Sequence, residues 1–106
     1  MAISSIAALR PSTIQVVAYT GTAAAITNAF GANTYVIRLS SNSACHVLVS
    51  EAASVTTATV SNAFFLPANW VDYIIVSPGQ KLSVIRAATD GLVTATSGTL
   101  NVTEMV

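Results

Sequence analysis

Residues 71–86 read Val71-Asp72-Tyr73-Ile74-Ile75-Val76-Ser77-Pro78-Gly79-Gln80-Lys81-Leu82-Ser83-Val84-Ile85-Arg86, and the fold class turns on them. Pro at the second and Gly at the third position of Ser77-Pro78-Gly79-Gln80 suit a type II turn, in which φ is positive at the glycine. The flanks are rich in β-branched residues, which favour extended backbone. Together they predict an antiparallel hairpin, Val71–Val76 with Lys81–Arg86. If Val76 pairs with Lys81, Ile75 opposes Leu82 and Tyr73 opposes Val84, placing four apolar side chains on one buried face. The other face carries Asp72, Ile74, Val76, Lys81, Ser83 and Ile85. Half of these are apolar, so something is expected to cover them.

Upstream, Thr34–Ser40 alternates, with Tyr35, Ile37 and Leu39 on one face and Arg38 and Ser40 on the other. Ser41-Asn42-Ser43 is a turn cluster, and Ala44–Ser50 resumes as a strand whose Cys45, Val47 and Val49 share a face. The two read as a second antiparallel hairpin. Thr13–Tyr19 and Thr22–Asn28 read as strands around Gly21, and Ser97–Met105 as a final strand. Asp90-Gly91 is a turn signal ahead of Leu92-Val93. The run from Glu51 to Asn62 has no clear period and reads as loop or edge strand. Six to eight short strands at this spacing predict an all-β chain, a single antiparallel β-sandwich or jelly-roll-like domain over residues 14–106. Residues 1–13 read as an extended N-terminal arm.

The 106 residues include four Lys and Arg, four Asp and Glu, and no net charge. A compact monomer of this size exposes roughly 5,600 Å², or about one charge per 700 Å². Charged residues make up 8% of the chain, against about 25% in ordinary soluble domains. Mean hydropathy is +0.67. So neutral a coat favours association. It excludes nucleic acid as a partner, because Arg10, Arg38, Lys81 and Arg86 are too few and scattered to neutralise a phosphate backbone. Intrinsic disorder is excluded by the same hydropathy. Apolar runs stop at four residues, as in Ala63–Leu66, whereas a spanning helix needs about 20, so no membrane segment is expected. The first residues lack the basic start and long apolar stretch of a signal peptide.

Little in the sequence offers chemistry. His46 and Cys45 are the single histidine and cysteine, and as strand neighbours they point to opposite faces, so they form no thiolate–imidazole pair. Cys45 reads as a small buried hydrophobe. With one His and one Cys, a zinc site within one chain would need carboxylates in most positions. Glu51, Asp72, Asp90 and Glu104 are dispersed and read as solvated or locally paired. The glycines stand singly at turns, and Asn101-Val102-Thr103 is a sequon without a secretory context. No enzyme, cofactor or metal is expected.

The aromatic residues point to contacts. Phe64, Phe65 and Trp70 bracket Leu66-Pro67-Ala68-Asn69 in a charge-free segment. Adjacent Phe64 and Phe65 cannot both enter one core from an extended segment, so one is expected at the surface or in an interface. The stretches NTYVIRLSSNSACHVLVSEA (33–52), FFLPANWVDYIIVSPGQKLSVIRA (64–87) and GTLNVTEMV (98–106) also carry a recognisable order of motifs. An Ala-Cys-His-Val strand comes first, then a Leu-Pro-Ala step, a Val-x-Pro-Gly turn, a Val-Ile strand and a terminal Gly-Thr-Leu-x-Val-Thr-Glu. Over about the last two-thirds of the chain this order resembles small structural proteins of tailed bacteriophages.

The resemblance implies a virion component assembled in the bacterial host cytoplasm, most naturally a capsid decoration or cementing protein. Its partners would be the major capsid protein or other virion proteins, and it would form a homo-oligomer, a trimer by preference. The alternative is a head-fibre or tail accessory module that binds host surface glycan through Trp70. The expected contact residues are Ile3, Ile6, Leu9, Phe64, Phe65, Trp70, Ile74, Ile85, Met105 and Val106.

Overall fold

The turn at Ser77–Gln80 forms as the sequence predicts. Gly79 has φ +84° and the Gln80 N–H donates to the Ser77 carbonyl at 3.2 Å. The strands on either side of it do not pair. In the computed structural model, which describes residues 9–90, 93–94 and 97–106, they belong to different sheets.

The strands are β1 (Pro11–Tyr19), β2 (Ala24–Ala25), β3 (Val36–Ser41), β4 (Cys45–Glu51), β5 (Phe64–Leu66), β6 (Val71–Ile75), β7 (Gln80–Arg86), β8 (Thr89–Asp90), β9 (Val93–Thr94) and β10 (Gly98–Met105). One antiparallel sheet has the order β1-β10-β3-β6, and the second has β2-β7-β4-β5. They pack face to face as a β-sandwich, with β8 and β9 as a separate ribbon. The Gly91 of the expected turn between β8 and β9 lies outside the described residues.

Both expected hairpins are therefore arches that carry the chain from one sheet to the other. β3 pairs with β10 and β6, while β4 pairs with β7 and β5. The faces of β3, β4 and β7 are nevertheless as predicted. Ile37, Leu39, Cys45, Val47, Leu82 and Val84 are all buried in the core. An inward apolar face can be satisfied by a strand across the core as well as by one alongside, so alternation alone did not choose between hairpin and arch. In β6 the phase is reversed: Ile74 packs against the core and Val76 is buried beyond it, while Tyr73 and Ile75 point outward. The expected pairs Ile75–Leu82 and Tyr73–Val84 are replaced by Val36–Ile75 and Arg38–Tyr73. Two bonds fix the arch in place, from Val76 N–H to the Tyr35 carbonyl and from Gly79 N–H to the Phe30 carbonyl, each 2.9 Å.

The half-apolar face expected to need a cover is met in part within the chain. Its Val76 lies in the core and its Ile74, half-buried, packs against it. Against Ser83 runs the segment from 52 to 63, which begins with one 3-10 turn (Ala52–Ser54), while Ile85 is half-buried beside His46. There Thr56 N–H donates to Ser50 Oγ and Ala58 N–H to Ser83 Oγ, both at 3.0 Å. His46 Nδ1–H donates to the Ala63 carbonyl at 3.2 Å.

At the N-terminus, Pro11–Thr13, expected in the arm, already belong to β1. Arg10 and Val106 exchange two backbone hydrogen bonds of 2.9 Å, and the register shifts between Pro11 and Ile14. Of the expected strand over Thr22–Asn28, only Ala24–Ala25 is in the ladder.

A polar cluster closes one end of the core. Tyr19 is buried, and its hydroxyl donates to the Ser43 carbonyl. The Cys45 thiol, also buried, donates to Ser41 Oγ at 3.8 Å. Gly98 lies against this cluster so closely that a Cβ there would stand 2.8 Å from both Tyr19 Oη and Ser43 Cβ.

Burial, reinforced by the nearby Cys45, pushes the Tyr19 phenol from its ordinary 10.0 up to about 12, and burial also raises the Cys45 thiol. The unfolded chain therefore releases the Tyr19 proton first. Stability from this group is complete below pH 10 and falls as pH rises towards 12, at up to about 1.4 kcal/mol per pH unit. Cys45 acts with the same sign from a lower pH. Thermal unfolding followed from pH 8 upward should show this alkaline loss. In Tyr19→Phe the part between pH 10 and 12 should flatten.

Candidate interaction surface

Cross-strand pairing in the first sheet places three rows of side chains on its outer face. The first row runs Met105, Val36, Ile75 across β10, β3 and β6. The second runs Ile14, Thr103, Arg38, Tyr73 from β1 to β6, and the third Val16, Asn101, Ser40, Val71. In the middle of this grid Val36, Met105 and Thr103 are buried and Arg38, Ser40 and Asn101 half-buried. Thr103 Oγ1 donates to Asn101 Oδ1 at 2.8 Å along β10.

The flanking strands are different. Ile75 is 76% exposed, Val16 64% and Ile14 56%, and Val71 and Tyr73 are exposed as well. Next to β6, the turn through Asn69 (φ 60°) presents Trp70 at 60% exposure. Among the described residues this face thus holds five large exposed apolar side chains and a single charged one, Arg38. Solvated sheet faces are normally polar, and here two separate apolar patches, Ile14 with Val16 on β1 and Val71, Tyr73 and Ile75 on β6, flank the half-buried middle strands; exposed apolar groups of this kind mark contact surfaces.

The expected contact residues divide into several groups. Ile3 and Ile6 lie outside the described residues, and Leu9 is half-buried. Phe64, Phe65, Trp70 and Val106 are exposed. Phe65 meets the His46 ring edge-on at 5.5 Å on the outer face of the second sheet. Ile85 is half-buried on that same face, paired with His46. Two residues leave the set: Ile74 packs against the core, because β6 takes the opposite phase to the expected one, and Met105 is 6% exposed beside Val36. Sequence reasoning missed Ile14, Val16, Val71, Tyr73 and Ile75. The available signal was a strand that is apolar in both phases, as Val71–Ile75 is.

Among the described residues no three His, Cys, Asp or Glu side chains converge into a metal-binding group. No helix of the described residues is long and apolar enough to cross a membrane. Asp72 Oδ1 accepts its neighbour Tyr73 N–H at 2.9 Å, and Glu51 accepts from Gln80 at 3.2 Å. Of the acids expected to be solvated or locally paired, Glu104 is not solvated: it is 5% exposed, faces inward from β10 and is held by hydrogen bonds. The chain matches no protein-family model, no curated protein and no solved structure.

Proposed function

We propose that this protein is a structural subunit that works by binding other protein surfaces, and that its setting is a bacteriophage virion, where it decorates and cements the capsid. The observation that carries the association is the outer face of the β1-β10-β3-β6 sheet, with five exposed apolar side chains around one cation. The virion setting is supported by the order of motifs over residues 33–52, 64–87 and 98–106. Decoration acts through mass action: a subunit that bonds only to the assembled shell lowers the free energy of that shell relative to its separated parts. The major capsid protein is the partner this reading names, and binding needs no cofactor and no catalysis.

The experiment is to locate the protein in purified virions and to mix it with shells that lack it. Co-sedimentation and a raised shell-opening temperature are expected. Virions without the protein, together with shells that do not retain it, would overturn the reading. Trp70 supports a second reading, an accessory module that binds host glycan, since exposed aromatic rings offer a platform for sugar faces. A saccharide titration that quenches or shifts Trp70 fluorescence would favour it over decoration.

A further inference from the structure

We infer that β1 pairs antiparallel with the β1 of a second copy about a two-fold axis, joining two four-stranded sheets into one of eight strands.

β1 is the sheet edge least defended against such pairing. It runs nine residues, against five for β6, three for β5 and two for β2. It is hydrogen-bonded on one side only, to β10, and among the described residues no backbone partner flanks its other side. Natural edge strands are usually blunted by lysine, by proline within the strand, by a bulge or by a covering segment. Here the proline is the first residue and the register shift falls before Ile14, so Ile14–Tyr19 is regular. No charge occurs between Arg10 and Arg38. The strand facing β1 across the open side of the sandwich, β2, is too short to cover it. A cleft of about 400 Å³ lies there, lined by Val16, Ala18, Ile26 and Thr27 among others. Gln15 bridges it, exchanging hydrogen bonds of 2.9 and 3.0 Å with the Asn28 backbone.

The occupant is a second copy because the strand is complementary to itself. Centred on Gln15, antiparallel pairing sets Ile14 of each copy opposite Val16 of the other. This brings together the two most exposed apolar side chains of β1, and such cross-strand pairs are the unit of sheet stabilisation. The two Arg10 side chains are carried to opposite ends of the paired strands, so no like charges meet. A two-fold contact of this kind closes on itself. It leaves Val71, Tyr73 and Ile75 on the far edge of each sheet, free for the shell.

The pairing is independent of the virion setting and is read from the mass of the purified chain alone. Native mass spectrometry and sedimentation at tens of micromolar should give twice the 10.9 kDa chain mass. Val16→Lys should weaken the dimer by about tenfold or more, because the lysine is desolvated against a neighbouring strand. Ile14→Lys should do the same, with circular dichroism showing that both variants remain folded. Ile75→Lys, on the opposite edge, should leave the mass unchanged. A monomer, a trimer, or a dimer that Ile75→Lys dissolves and Val16→Lys does not would overturn the pairing. A β1 dimer that nevertheless fails to bind shells would overturn the proposed function and leave this inference standing.

Discussion

Glu104→Ala is expected to destabilise the protein by about 2–4 kcal/mol, the largest effect of any single acid-to-alanine change in this chain. Glu104 Oε1 accepts from the Gly31 N–H at 2.9 Å and from the Thr34 hydroxyl, and Thr34 is itself buried. The two donors belong to the connection between β2 and β3, while Glu104 sits on β10, so one carboxylate ties a loop of the sandwich to its central strand. Truncation removes the acceptor and leaves the Thr34 hydroxyl to be desolvated without a partner, which costs more than the bond contributes when made. Glu104→Gln keeps an acceptor oxygen in the same place and should recover about half or more of the loss, since bonds to a charged group are roughly twice as strong as neutral ones. Chemical denaturation of the three proteins measures this directly. An alanine variant within experimental error of the parent would mean that the loop is held by its other contacts.

Glu104 also shows where sequence reading stops. Its neighbours Val102 and Leu100 alternate inward, and Glu104 continues that phase, so its position on the core side was legible in Gly98–Met105. That a carboxylate there would find two donors was not, because Gly31 and Thr34 lie some seventy residues away in the chain and meet it only through the third dimension. The arches fail for a related reason. Period-two patterning reports which side chains share a face, and it did so correctly for Ile37, Leu39, Val47, Leu82 and Val84. Strand pairing is a separate choice between lying beside a neighbour and lying across from it. Ser77-Pro78-Gly79-Gln80 permits both, since a turn reverses the chain in either case. Where a strand is apolar in both phases, as at Val71–Ile75, even the face is undetermined, and here Ile74 took the core while Tyr73 and Ile75 took the surface. The candidate interface was misread at these same residues. Attention to clustered aromatics found Phe64, Phe65 and Trp70, but the exposed apolar rows exist only once β1, β10, β3 and β6 are placed side by side.

Those rows set the second large effect. The double substitution Tyr73→Asp with Ile75→Asp is expected to lower shell binding by two to three orders of magnitude, roughly what the loss of two buried interface anchors costs. Both side chains are exposed on β6, so little folding energy is at stake; an exposed strand position spans about 1 kcal/mol across residue types. The added carboxylates flank Arg38, the one cation of the face, and would satisfy it internally while making the surface costly to desolvate against a protein partner. The dimer mass should be unchanged, because β6 and β1 are opposite edges of the sheet. Equal charge placed elsewhere supplies the control: Val55→Asp with Val60→Asp alters exposed residues of the segment that covers the second sheet and should leave shell binding intact. Co-sedimentation of each variant with shells separates the cases. Loss in both would trace binding to overall charge, whereas loss confined to Tyr73 and Ile75 would assign it to this face. Retention in both would move the contact to Phe64, Phe65 and Trp70, where the same pair of substitutions could be repeated.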